Sequence, residues 1–374
     1  MPTQDKGTAL VVPDMEAIIG GRLFSETMKH SAITVETPDP QFDLRTGSPY
    51  ATLVNNQRRF AADVGNYFGV SAEGVIPTSG ATGAIEAIRN HIFRLVLQPN
   101  PVLLTVSPGY WRARELFHGF GFKIAVVETI QNGFDIDEAT LIRRATELQP
   151  AVVYLSLPNN PTGAIFDAAL LMAGIPERTA VILDFTLPGR QLDTRGLVNH
   201  LYRQFQGRGK LFFVGSTSKS HSTAEYRIGW AICANSKDAE LFRQENRNVV
   251  SSVSVEEAAG RLNHESPVKA RIEKSFCMLR ERAGAAFQLV EPARRVESSY
   301  TLIRFSGDAG ILRNALAQHR IAVMWGTEFG LPEDFIRLEV SEPESVQALI
   351  SVLQATLGER QSANHRLNTA WKTR

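Results

Sequence analysis

The chain has 374 residues, 43% of them hydrophobic and 21% charged, with 40 Lys and Arg balanced against 39 Asp and Glu. That length exceeds what one hydrophobic core usually supports, so two domains, or one large α/β domain with an appendage, are expected. The neutral balance removes the electrostatic case for nucleic acid or an anionic membrane surface as the main partner, and leaves small molecules as the default ligand.

No apolar run reaches the roughly 18 to 20 residues of a membrane span, and the polar start, Met1 to Lys6, lacks the blocks of a signal peptide. No membrane partner and a cytoplasmic location are the expectation. In chain order, residues 1–42 carry Gly20-Gly21 and the Pro38-Asp39-Pro40 turn signal, which suits an N-terminal arm. From residue 43 onward, short β-branched runs alternate with amphipathic stretches. The runs are Pro101 to Val106, Lys123 to Glu128, Ala151 to Ser156, Ala180 to Asp184, Leu211 to Gly215 and Gly229 to Ala234. Apolar strands separated by helical segments predict a mostly parallel sheet in an α/β layer fold, assigned to residues 43–255.

After Ser254 the period lengthens: Val255 to Asn263 and Pro267 to Val290 read as helices, followed by strands at Thr301 to Phe305, Ile321 to Met324 and Phe335 to Val340. A smaller α+β domain over residues 256–374 is predicted. Cys233 and Cys277 sit in apolar surroundings without spaced Cys or His partners, so two buried thiols are expected rather than a disulfide or a metal site.

Four segments carry chemistry. In Leu211 to Ser220 a strand runs out into small hydroxyl residues and then Lys219, and eight positions on Arg227 opens another apolar strand. A lysine at a strand end in apolar surroundings is the kind of amine whose pKa falls, suiting it to imine formation. Ser79-Gly-Ala-Thr-Gly83 precedes a helical run, and a turn of small residues at a helix start presents free N–H groups to a phosphate. Pro158-Asn-Asn-Pro-Thr-Gly163 closes one strand, where a turn would hold the Asn160 amide. Asp184 ends another, where a lone buried charge is costly and calls for a cation. Each piece alone also fits an ordinary turn or a solvated lysine.

Together, in order and spacing, these residues resemble the fold type I pyridoxal-phosphate enzymes of the class I/II aminotransferase family. The likeness runs over about residues 43 to 355 and ends with Phe335-Ile-Arg-Leu338. The resemblance implies pyridoxal 5'-phosphate joined to Lys219, with Asp184 on the pyridine nitrogen, where it keeps the ring electron-withdrawing. It implies Asn160 at the ring hydroxyl and Tyr110 stacked on the ring, with Trp111 packing into the core. Gly80, Ala81, Thr82, Ser216, Ser218 and Arg227 would hold the phosphate, and Arg337 would grip the α-carboxylate of an amino-acid substrate. Gly47 and Tyr50 fall where the family approaches the site from its N-terminal arm; Tyr50 reaching the partner's phosphate implies a homodimer with shared sites.

One position departs from the pattern. Most of the family has Tyr three residues after the pyridine-binding Asp, and here Leu187 stands in Asp184-Phe-Thr-Leu187, so one hydrogen bond to the ring hydroxyl is missing. Similar loss occurs in the arginine oxidases that use the same cofactor, which keeps a lyase, cyclase or oxidase on an arginine-like amino acid as the alternative to an aminotransferase. Other classes fail on spacing. A P-loop needs Gly where Ser218 stands, and a dinucleotide motif at Gly119-Phe-Gly121 has Ile124 in its third glycine position.

Overall fold

The computed structural model describes residues 49–95, 99–245, 250–262, 264 and 266–358. The expected arm and Gly47 lie outside them. So does the side chain of Tyr50, although its backbone belongs to the first helix.

Seven strands form one sheet: β1 (Val75–Thr78), β2 (Val102–Ser107), β3 (Lys123–Glu128), β4 (Val152–Ser156), β5 (Ala180–Asp184), β6 (Leu211–Ser216) and β7 (Gly229–Cys233). Their spatial order is β1-β7-β6-β5-β4-β2-β3. Strands β3, β2, β4, β5 and β6 pair in parallel, and β7 runs antiparallel to both of its neighbours. The central runs are apolar throughout because both faces are covered. Val153, Leu155, Val181, Leu183 and Phe213 pack on one side against α1 (Pro49–Phe68), α4 (Glu138–Leu148), α5 (Ala168–Gly174) and α6 (Thr194–Phe205). Val152, Ile182, Phe212 and Val214 pack on the other against α2 (Gly80–Leu95), α3 (Trp111–His118) and α8 (Ser236–Glu245). Each such buried side chain contributes about 1.5–3 kcal/mol, which makes the sheet the rigid part of the molecule.

The last helix of this part, α9 (Ser252–Leu262), buries Val255, Ala258 and Leu262 in the same core as α1. The next helix, α10 (Val268–Arg282), opens a separate core. There α10, α11 (Ala309–Gln318) and α12 (Pro343–Leu353) cover an antiparallel sheet of order β10-β11-β9-β8, made from β8 (Phe287–Leu289), β9 (Tyr300–Phe305), β10 (Met324–Trp325) and β11 (Phe335–Glu339). Among the described residues no helix is long and apolar enough to cross a membrane.

Two sequence expectations change here. The helix expected over Pro267 to Val290 stops at Arg282: Ala283 is extended, the Gly284 N–H donates to the Phe287 carbonyl, and β8 pairs with β9. Glycine's poor helix propensity and the open edge of β9 decide the change. The strand expected from Ile321 begins only at Met324, after Arg320 turns the chain with φ of 54°. One thiol also differs: Cys233 is buried, but Cys277 is exposed on the outer side of α10.

Residues 293–298 tie the two parts together. The Ile165 N–H donates to the Arg294 carbonyl, Val296 N–H to the Gly163 carbonyl, and Arg190 N–H to the Glu297 carbonyl. Ion pairs reinforce the seam: Glu297 meets Arg190 at 2.9 Å and Arg280 at 2.6 Å, and Arg294 meets Glu138 at 2.7 Å. This segment lies against the loops that follow β4 and β5, and it feeds straight into β9.

Candidate active site

The carboxyl ends of β2, β4, β5 and β6 converge, the usual ligand crevice of an open parallel sheet. Asp184 is the last residue of β5 and only 4% exposed. Its Oδ2 accepts a 2.6 Å bond from the Tyr154 hydroxyl, and its Oδ1 a 2.9 Å bond from the Thr186 N–H. Burial pushes its pKa up, and the contacts from Thr186 and Tyr154 pull it part of the way back. Among the described residues no cation pairs with it, so the carboxylate faces the crevice still needing one.

Asn160, also buried, lies after β4, where its N–H donates to Ser156 Oγ at 3.0 Å. The neighbouring Asn159 amide bonds the Pro108 carbonyl and Thr162, and so fastens this loop to the one after β2 that carries Tyr110. Tyr110 is mostly buried and hydrogen-bonded to Thr82, with its ring centroid 6.5 Å from that of Tyr154. Trp111 packs on the apolar cluster of Phe134, Phe329 and Phe335, in the core role expected.

The other end of the crevice is a cradle of backbone. Gly80 has φ of +69°, and a Cβ there would stand 2.7 Å from Arg227 Nη2. A Cβ on Gly229 would stand 2.5 Å from the Gly80 carbonyl carbon and 2.8 Å from Ala81 N. Gly229 is the register partner of both Thr78 and Ser216, so the start of α2, the end of β6 and the Arg227 guanidinium close on one point. Ser216 caps the short helix α7 (Thr217–Ser220) by accepting from the Ser218 N–H. Free helix-start amides, hydroxyls and a guanidinium form the donor set of a phosphate site.

Lys219 sits on α7 with its side chain 28% exposed, and its Nζ is 3.4 Å from Glu339 Oε2. It also contacts Tyr300, with Nζ 5.2 Å from the ring centre. Burial pulls the Lys219 pKa down, but Tyr300 and Glu339 outweigh it and the net shift is upward. The depressed amine expected from apolar surroundings is thus replaced by a held ammonium. Arg337 completes the group: its guanidinium lies 4.0 Å from the centre of the Tyr300 ring and its Nη1 3.4 Å from Asn160 Oδ1.

Of the expected site residues, contacts gather Gly80, Ala81, Arg227, Ser216 and Ser218 at the cradle and join Tyr110 to Thr82 and Arg337 to Asn160, Asp184 ends the strand next to β6, and the Tyr50 side chain lies outside the described residues. Tyr154, Thr186, Tyr300 and Glu339 are the residues sequence reasoning missed. Glu339 was readable, because two charges alternating with Ile336 and Leu338 mark one wet face of a strand; Tyr300 needed the register that sets it opposite Glu339.

The buried carboxylate without a cation, the phosphate cradle beside Arg227 and the lysine on the short helix that Ser216 caps fit pyridoxal 5'-phosphate. Fold and site together define a PLP-dependent enzyme of fold type I. Residues 45–353 match the family model "Aminotransferase class I and II", and the chain belongs to that family as a PLP-dependent aminotransferase. It is similar to the histidinol-phosphate aminotransferase of Symbiobacterium thermophilum, 24% identical over 287 residues that cover 72% of this chain and 74% of the relative. Among solved structures it is similar in fold to the histidinol-phosphate aminotransferase from Clostridium acetobutylicum, with TM-score 0.69, 16% identity, and coverage of 82% and 90%. The histidinol-phosphate aminotransferase from Sinorhizobium meliloti in complex with pyridoxal-5'-phosphate shares the fold at TM-score 0.67, 17% identity, and coverage of 84% and 88%.

Proposed function

We propose that the enzyme moves the amino group of an α-amino acid, with Lys219 as the amine that carries the cofactor and Arg337 as the anchor for the substrate carboxylate. The observation that carries this reading is the cradle of Gly80, Ser216 and Arg227, with Lys219 on the short helix that Ser216 caps and Asp184 buried at the end of the neighbouring strand β5. Pyridoxal phosphate, when bound, supplies an aldehyde to accept the amino group and a ring that draws electrons from the substrate Cα.

The chain's own residues do the rest. Asp184 offers its carboxylate to the pyridine nitrogen, and Tyr154 and Thr186 fix where that carboxylate points. Asn160 stands at the ring hydroxyl, while Leu187, 5% exposed, is apolar and donates nothing. Tyr110 covers one ring face, held by Thr82. Gly80, Ala81 and Thr82 give helix-start amides to the phosphate, Ser216 and Ser218 give hydroxyls, and Arg227 gives a two-pronged charge. Arg337 presents a planar fork suited to a carboxylate. Lys219 Nζ would be the base that takes the proton from the substrate Cα once its amine is free.

We also propose a homodimer whose sites are completed by Gly47 and Tyr50 of the partner subunit, which follow the arm, with the sequence divided into its two domains after α9. The packing of α9 on α1 supports that division over one at residue 255.

The test is one turnover on the PLP-loaded protein with glutamate, arginine and other amino acids, and with histidinol phosphate because curated relatives are named for it. Loss of the cofactor's visible band with one equivalent of keto product and no ammonia is expected. Release of ammonia or peroxide, or a cyclised product, would contradict transamination.

A further inference from the structure

Arg337 and Glu339 share a face of β11, since their neighbours Ile336 and Leu338 point into the core of the small sheet. On β9 the same alternation puts Ile303 and Phe305 in that core and turns Tyr300 toward the crevice. Register sets Tyr300 directly opposite Glu339 and Leu302 opposite Arg337. One tyrosine ring therefore stands against two cations, Arg337 at 4.0 Å and Lys219 at 5.2 Å, while Glu339 approaches the lysine to 3.4 Å. Glu339 reaches the lysine from a half-exposed position, its side chain 41% exposed and its Oε1 accepting from the Ser341 hydroxyl at 2.7 Å, whereas the Tyr300 ring is buried.

We propose that Tyr300 and Glu339 are positioning residues that hold the Lys219 amine and the Arg337 guanidinium in one array, Glu339 as the resting counter-ion of Lys219 and the Tyr300 ring as the shared platform for both cations. This rests on the reading of Lys219 as the cofactor-bearing amine. Of the charged groups on the helices packed against α7, Arg261 pairs with Glu257, Arg271 with Glu342 and Glu273 with Arg190, while the adjoining turn carries Glu225. His221 bonds Ser220 and the His264 carbonyl. The pairing has a consequence for cofactor capture, because an amine attacks an aldehyde only when it is unprotonated. A carboxylate that keeps Lys219 as an ammonium slows attachment and guards the empty enzyme's lysine from other carbonyl compounds. The upward shift at Lys219 agrees in direction.

The test starts from cofactor-free full-length protein and follows the rise of the visible band after adding PLP, a readout independent of turnover. At a fixed pH near 8, Glu339→Gln is expected to attach PLP about two- to fivefold faster than the parent, the factor an ion pair of this exposure carries, and Glu339→Asp to restore the slower rate. Tyr300→Phe keeps the ring but loses the hydroxyl that contacts Lys219, and is expected to raise KM for the amine substrate less than Tyr300→Leu, which raises it about threefold or more, the effect of losing one cation–π contact. Equal attachment rates in the parent and Glu339→Gln, or equal KM in Tyr300→Phe and Tyr300→Leu, would overturn the inference. Failure of the underlying reading looks different: there the parent would show no band that Lys219→Ala removes.

Discussion

Asp184 sits where an ionised carboxylate works against the fold. Burial sets its folded pKa above that of the unfolded chain, so the penalty for ionising it is present above the folded pKa and disappears as pH falls through that value. On the proposed function, a bound pyridinium would reverse the balance by supplying the missing cation. Asp184→Asn is therefore expected to stabilise the cofactor-free protein at neutral pH, by about 1–3 kcal/mol, and to weaken cofactor retention. Thermal unfolding with and without PLP reads both effects at once. A variant less stable in both states would show that Asp184 is a structural acid.

Two elements, the β6–β7 pair and the 293–298 segment, turn a sheet into a site. Gly229 is needed on β7 because a methyl group there would press on the backbone of Gly80, Ala81 and Gly215. Gly229→Ala is expected to lower PLP affinity at least tenfold, since the helix-start amides must move and misplaced phosphate donors lose more than 1.4 kcal/mol; titration of cofactor-free protein measures it. Along the 293–298 segment, burial raises the Glu297 pKa, but Arg280 and Arg190 outweigh it, and the carboxyl ends below its ordinary range. A folded pKa below the unfolded one gives stability that is present above the unfolded carboxylate pKa and lost as pH falls through the folded value. Glu297→Gln is expected to cost about 1–3 kcal/mol at pH 7 and to flatten the acid limb of the stability profile, followed by denaturant unfolding from pH 7 to 3.

These elements also show what was legible in the sequence. Asp184, Asn160, Lys219 and Arg227 stand at strand ends flanked by unmistakable apolar runs, so their placement followed from the chain alone. Tyr300 and Glu339 did not, because their role depends on the register between β9 and β11 and on a seam that brings the small sheet over α7. The Lys219 shift was misjudged for the same reason: local apolarity was visible, but the carboxylate 120 residues away was not.

At the scale of the molecule, the proposed function sets the cofactor on the mostly parallel sheet and the substrate carboxylate on the small sheet, so relative placement of the two parts sets the distance from Arg337 to Lys219. Sharing of sites across a homodimer is checked by mixing chains. Co-expressed Lys219→Ala and Tyr50→Ala chains are expected to regain about a quarter of parental activity, because half of random dimers carry one complete site of two, whereas either variant alone stays near zero.

The central claim is that Lys219 is the amine that carries the cofactor. Borohydride reduction of the PLP-loaded enzyme, followed by proteolysis and mass spectrometry, fixes the cofactor to whichever lysine holds it. The account predicts a pyridoxyl mass on the peptide containing Lys219 and none elsewhere; the label on another lysine, or no label, would contradict it.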